Sequence, residues 1–123
     1  MIGVLLRTLF REPASLPEAV PHGVAVRKSR TITTAAGILS GMKHPAAAVT
    51  LGDTILVHPG VSLTTRLLRH ELAHVRQWRE EPLVFPLRYV LNHLRYGYRD
   101  NPYEVEARQA ETTATDLNRG DPS

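Results

Sequence analysis

Leu67-Leu68-Arg69-His70-Glu71-Leu72-Ala73-His74-Val75-Arg76-Gln77-Trp78 decides how this chain folds. From Leu63 onward no Gly or Pro occurs until Pro82, and Ser62 is available as an N-cap, so the spacing predicts a helix over Leu63 to Glu80. On that helix His70 and His74 are i and i+4, neighbours on one face, where both imidazoles reach a single metal ion. Glu71 sits one residue round from that face, within reach of a water on the ion. Two histidines as Zn²⁺ ligands and a glutamate as general base is the chemistry this His-Glu-x-x-His spacing suits. Leu68, Leu72 and Val75 follow 3.6-residue spacing beside the histidines, as expected of a metal helix wedged into a small core.

Working outward, Ala47–Leu51 and Thr54–His58 are β-rich runs separated by Gly52-Asp53, which predicts a hairpin ended by Pro59-Gly60. Gly23 to Ser29 alternates enough for a short strand. Thr31 to Met42 is ambiguous, with a short helix possible over Thr34 to Leu39. Leu83 to Gly97 has helical spacing, with Gly97 as C-cap. Pro102 to Asn118 reads as a final helix stopped by Gly120, with Asp121-Pro-Ser as a tail. Glu12 to Pro21 carries three prolines and reads as a linker. The expected organisation is therefore an apolar N-terminal segment and linker over 1–21, then one domain over 22–123. Its class is α+β: a small hairpin or sheet packed on the zinc-binding helix and two further helices.

At 123 residues the chain suits a single domain with a modest core. It has no cysteine, which excludes disulfides and thiolate ligands, so a zinc site must use histidine and carboxylate. Met1 to Phe10 is apolar but interrupted by Arg7, and has neither a basic leading region nor a small-residue cleavage site. No stretch is long enough to span a bilayer. The expectation is a soluble cytoplasmic protein, with residues 1–10 able to touch a membrane or partner surface weakly. Net charge is +3, with Arg66, Arg69, Arg76, Arg79, Arg88, Arg95 and Arg99 around and after the metal helix. No nucleic-acid motif accompanies them, so a solvated arginine-rich surface is the expectation and no specific nucleic acid is implied.

A catalytic zinc needs a third protein ligand and an open position. Asn101-Pro102-Tyr103-Glu104-Val105-Glu106-Ala107-Arg108 offers Glu104, 30 residues beyond His74. The same residues make a good helix start, with Asn101 as N-cap, Pro102 at N1 and Glu104 at N3, so spacing alone leaves Glu104 as ligand or as cap partner.

The His-Glu-x-x-His helix followed by a helix containing Glu-x-x-Ala resembles the gluzincin zinc metallopeptidases. The Asn-Pro-x-Glu-x-Glu-Ala stretch looks most like short, single-domain minigluzincin-like bacterial proteins, and the resemblance covers roughly Ala47 to Glu111. It implies a minimal zincin-like domain and a zinc metalloendopeptidase acting on a peptide or protein. In it His70, His74 and Glu104 hold Zn²⁺, Glu71 is the general base, and Glu106 does not ligate. An extended substrate would add to the strand Thr54, Ile55, Leu56, Val57. Tyr96, Tyr98, Tyr103 and His58 are the candidates to stabilise the transition state. Two departures stand out. Arg108 occupies the position where several gluzincin families place an aspartate that orients a histidine ligand, leaving a backbone carbonyl, Glu111 or another acid to do so. No counterpart of a transition-state histidine is evident. These departures keep open a catalytically weak zinc-binding interaction module. The arginines alone support a third reading, a basic nucleic-acid-binding helical domain.

Overall fold

The structure, a computed structural model, describes residues 16–120, with side chains described as far as Thr112. The expectations for Met1 to Phe10 and for the tail Asp121-Pro-Ser fall outside the described residues. Among those described, three strands and four helices make an α+β domain. The strands are β1 (Ala25–Lys28), β2 (Ala48–Leu51) and β3 (Thr54–Val57). The helices are α1 (Arg30–Leu39), α2 (Thr65–Glu80), α3 (Phe85–Asp100) and α4 (Pro102–Gly120). None of these helices is long and apolar enough to cross a membrane.

β2 and β3 form the expected hairpin, with Leu51 opposite Thr54 and Gly52 at φ 60° in the turn. That positive φ is cheap only for glycine. β1 adds to the other side of β3 in parallel, pairing Ala25 with Thr54 and Lys28 with Val57. The sheet order is β1-β3-β2, so β3 lies in the middle and is hydrogen-bonded on both sides. This corrects the assignment of Thr54, Ile55, Leu56 and Val57 as a substrate edge: their backbone groups are already paired, and Ile55, Leu56 and Val57 are at most 1% exposed. A parallel neighbour requires a crossover, and α1 supplies it.

α1 begins earlier than the expected Thr34 because Ser29 caps it, its hydroxyl accepting from Ile32 N at 3.2 Å. Gly37 survives in its interior for a packing reason. A Cβ there would collide with the His44 carbonyl, since the loop into β2 lies directly on the helix. α2 is capped by Thr64 rather than Ser62, with the Thr64 hydroxyl accepting from Leu67 N at 3.1 Å. Val26, Ile55, Val57, Leu68 and Val75 form the core between sheet and α2. α2 packs on its other side against α4, where Ala107 is fully buried. Gly97 adopts φ 82° and breaks α3, and a last turn runs on to Asp100.

Candidate metal centre

The 3.6-residue repeat of α2 brings His70, His74 and Gln77 to one stripe with Glu71 beside it, and all four are buried. His70, Glu71 and His74 offer ligand atoms within 4.8 Å of one another, a cluster that could hold a metal ion. Glu104 arrives from the first turn of α4. Its Oε1 lies 2.9 Å from His70 Nε2 and its Oε2 3.1 Å from His74 Nε2. Asn101 makes this placement. It is fully buried, its Oδ1 accepts from Tyr103 N at 3.1 Å, and its Nδ2 donates to the Tyr89 carbonyl at 3.1 Å. Asn101 thus N-caps α4 as expected. The Glu104 carboxylate, however, does not close a capping box, because Asn101 N donates to the Gly97 carbonyl at 3.0 Å. Spacing left Glu104 open between cap partner and site residue; its carboxylate lies at the site.

Every member of the cluster is gripped from behind. His70 Nδ1 lies 2.9 Å from Glu111 Oε2, two turns along α4 from Glu104. A carboxylate therefore orients the imidazole after all, from Glu111 instead of position 108. Arg108 turns away to donate to the Arg99 carbonyl. His74 Nδ1 lies 2.7 Å from Gln77 Oε1, and the Gln77 amide nitrogen donates to the Tyr103 carbonyl at 3.0 Å and to Glu106 Oε1 at 3.1 Å. With both of its amide protons facing acceptors, Gln77 must present oxygen to His74, which keeps the proton on Nδ1 and aims Nε2 at Glu104. Tyr89 donates its hydroxyl to Glu104 Oε2 at 2.6 Å, and Thr50 donates to Glu71 Oε1 at 2.9 Å.

The charges follow from these contacts. Burial alone would raise the Glu104 pKa, but hydrogen bonds from His70 and His74 win and hold it well below the usual carboxylate range. Burial alone would lower His74, yet the Glu104 hydrogen bond and the charges of Glu71 and Glu104 raise it to about 9. His70 is raised against burial by Glu104, Glu71 and Glu111. Glu71 is raised chiefly by its own burial, with His74, His70 and Thr50 opposing. Each Nε2 faces a Glu104 oxygen, so its electron pair lies where a divalent cation shared with that carboxylate would sit. Glu104 meets the two imidazoles through different oxygens, at 2.9 and 3.1 Å, close to the roughly 3.3 Å between neighbouring ligands on a tetrahedral metal ion.

Of the four candidates for transition-state contact, Tyr98 is the one brought to the cluster. Its phenol is pushed up by burial, then by the charges of Glu104 and Glu71. Tyr96 is 45% exposed with the Arg95 guanidinium over its ring. Tyr103 packs edge-on to Phe85 and points its hydroxyl at Glu81. His58 sits in the turn after β3, accepting from Gly60 N. None of these three has a described side-chain contact with His70, Glu71, His74 or Glu104. Thr50, Gln77 and Tyr89 are the residues that sequence reasoning missed. Gln77 was findable, three residues from His74 and seven from His70 on one helical stripe. Tyr89 shares the inner face of α3 with Phe85. Thr50 carries no local signal, since only the tertiary fold brings it to Glu71.

Five of the seven arginines are ion-paired: Arg66, Arg69, Arg76, Arg79 and Arg88 with Glu111, Glu18, Glu106, Asp53 and Glu81 respectively.

A family model described as the eCIS core domain, for extracellular contractile injection system core domain, matches residues 25–82, just under half of the chain. No curated protein and no solved structure matches. The matched span runs from β1 through α2 and holds Thr50, His70, Glu71, His74 and Gln77; Tyr89, Glu104 and Glu111 lie beyond it. Over residues 25–82 the chain is similar to an eCIS core domain. Within that span its own His70, Glu71 and His74 form a cluster that could hold a metal ion.

Proposed function

We propose that the chain is a zinc-dependent peptidase of gluzincin type, with His70, His74 and Glu104 as ligands and Glu71 as general base. The observation that carries this reading is the Glu104 carboxylate reaching both Nε2 atoms, at 2.9 and 3.1 Å, from a different helix. Two imidazoles and one carboxylate are the donor set of a catalytic zinc site with one position left over. Bound zinc would supply Lewis acidity, making a water acidic and polarising a substrate carbonyl.

Glu71 is suited to take a proton from that water and pass it to the leaving amine, because burial raises its pKa and so strengthens it as a base. Thr50 holds one of its oxygens and so limits the angles from which the other can work. Tyr98 is the donor for a developing oxyanion. Tyr89 and Asn101 keep Glu104 in place while charge at the centre changes. With β3 interior, an extended peptide would align with β2, the strand at the sheet edge beside α2.

A second reading, a zinc-holding interaction module without turnover, is favoured by one observation: Glu71 is only 4% exposed. One experiment separates them. Untagged protein is assayed for zinc and for cleavage of a quenched-fluorescence peptide library, alongside Glu71→Gln. The peptidase reading expects about one zinc per chain in both proteins and cleavage in the wild type alone. Zinc without cleavage in either protein establishes the module, and cleavage unchanged in Glu71→Gln removes Glu71 as base.

A further inference from the structure

α3 carries two unlike faces. Phe85 and Tyr89 turn inward, to Trp78, Tyr103 and Glu104. Leu87, Val90, Leu91 and Leu94 turn outward and are 62, 53, 55 and 76% exposed, and Leu83, in the turn before the helix, is 90% exposed. Steps of three and four residues align the helical ones in one ridge along the helix. Folded monomers seldom leave so continuous an apolar surface bare, and no described residue covers this one.

From Leu83 to Arg99 the sequence holds no acidic residue but contains Arg88, Arg95, Arg99 and His93. Arg88 is tied to Glu81, whereas Arg95 and Arg99 make no ion pair with any described residue. Arg88 and Arg95, seven residues apart, lie along one flank of the ridge. Apolar outer face and cationic flank together describe a helix that lies in the plane of a membrane surface.

We propose that this face of α3 docks on an anionic lipid bilayer, the leucines entering the acyl boundary and Arg95 and Arg99 meeting headgroup phosphates. A second copy packed antiparallel about a twofold axis would bring the Arg88–Arg95 flank of one copy along that of the other, like charge on like. The ridge lies outside the span matched to the eCIS core domain and is independent of the peptidase reading.

The test is co-sedimentation of the full chain with vesicles of roughly seven parts phosphatidylcholine to three of phosphatidylserine, and with pure phosphatidylcholine vesicles. The wild type should sediment with the anionic vesicles, and binding should fall at least about tenfold in 0.5 M salt. The double variant Leu87→Asp/Leu94→Asp should lose at least about tenfold in binding, and Arg95→Glu about three- to tenfold. Both positions of the double variant are exposed, and melting by circular dichroism verifies that it folds. Absence of wild-type binding to anionic vesicles at low salt overturns the proposal. So does binding that the double variant leaves unchanged. A monomer–dimer equilibrium abolished by Leu87→Asp/Leu94→Asp would equally overturn it, making a second copy the occupant.

Discussion

α2 and α3 are both 16 residues long and invert the usual sorting of side chains in opposite senses. α2 takes two histidines, a glutamate and a glutamine into the interior. α3 leaves three leucines and a valine in solvent. Burying such polar groups is tolerable only when each finds a partner, and α2 meets that demand through Glu104, Glu111, Thr50 and the Tyr103 carbonyl. Nothing in α3 repays its exposed leucines within the described residues. Departures from apolar-inside patterning concentrate where a protein does something. Here they point to two different tasks on adjacent helices.

The comparison breaks most easily at Glu104. Glu104→Ala should weaken zinc binding more than about 100-fold, beyond the loss usual for outer partners, measured by competition with a chromophoric chelator. Glu106→Ala, at an exposed residue outside the cluster, should stay within about threefold. Next comes Leu68→Ala in the interior of α2, at a residue 0% exposed, which should cost about 2–5 kcal/mol in urea unfolding. Gln77→Ala and Glu111→Ala each leave an imidazole without its orienting acceptor and should weaken zinc by about 10–100-fold.

The pH dependence of the metal-free protein sharpens the point. His74 is raised to about 9 in the fold from 6.5, so its contribution is complete below about pH 6.5 and is lost as pH rises through 9. Glu104 is lowered from 4.5, so its contribution is present above that value and lost in acid. Melting temperature without metal should therefore peak between roughly pH 4.5 and 6.5 and fall by several degrees by pH 9. Zinc affinity should climb over the same alkaline range, because the ion displaces protons. The smallest effect belongs to α3. Leu94→Ser, at 76% exposure, should change unfolding free energy by no more than about 0.5 kcal/mol. A larger loss would mean that the ridge is covered in the free protein.

Much of this arrangement was legible in local sequence. The hairpin around Gly52, the helix bearing His70 and His74, and the start of α4 at Asn101 are written in turn residues, spacing and capping chemistry. The position of β3 was not, because a parallel partner pairs across a crossover and leaves no short-range mark. Expecting Thr54–Val57 at an edge followed from seeing only the hairpin. Ser62 and Thr64 are both competent caps, and only the approach of the chain to α2 selects Thr64. Tyr89 and Thr50 reach the centre from separate elements, for which periodicity has no vocabulary.

Ala107, three residues past Glu104 in the helix that packs on α2, has no exposed surface, so its place admits nothing larger than a methyl group without movement. Thickening it to valine or leucine should shift α4 and draw the Glu104 carboxylate away from His70 and His74, while leaving every residue of the cluster in the chain.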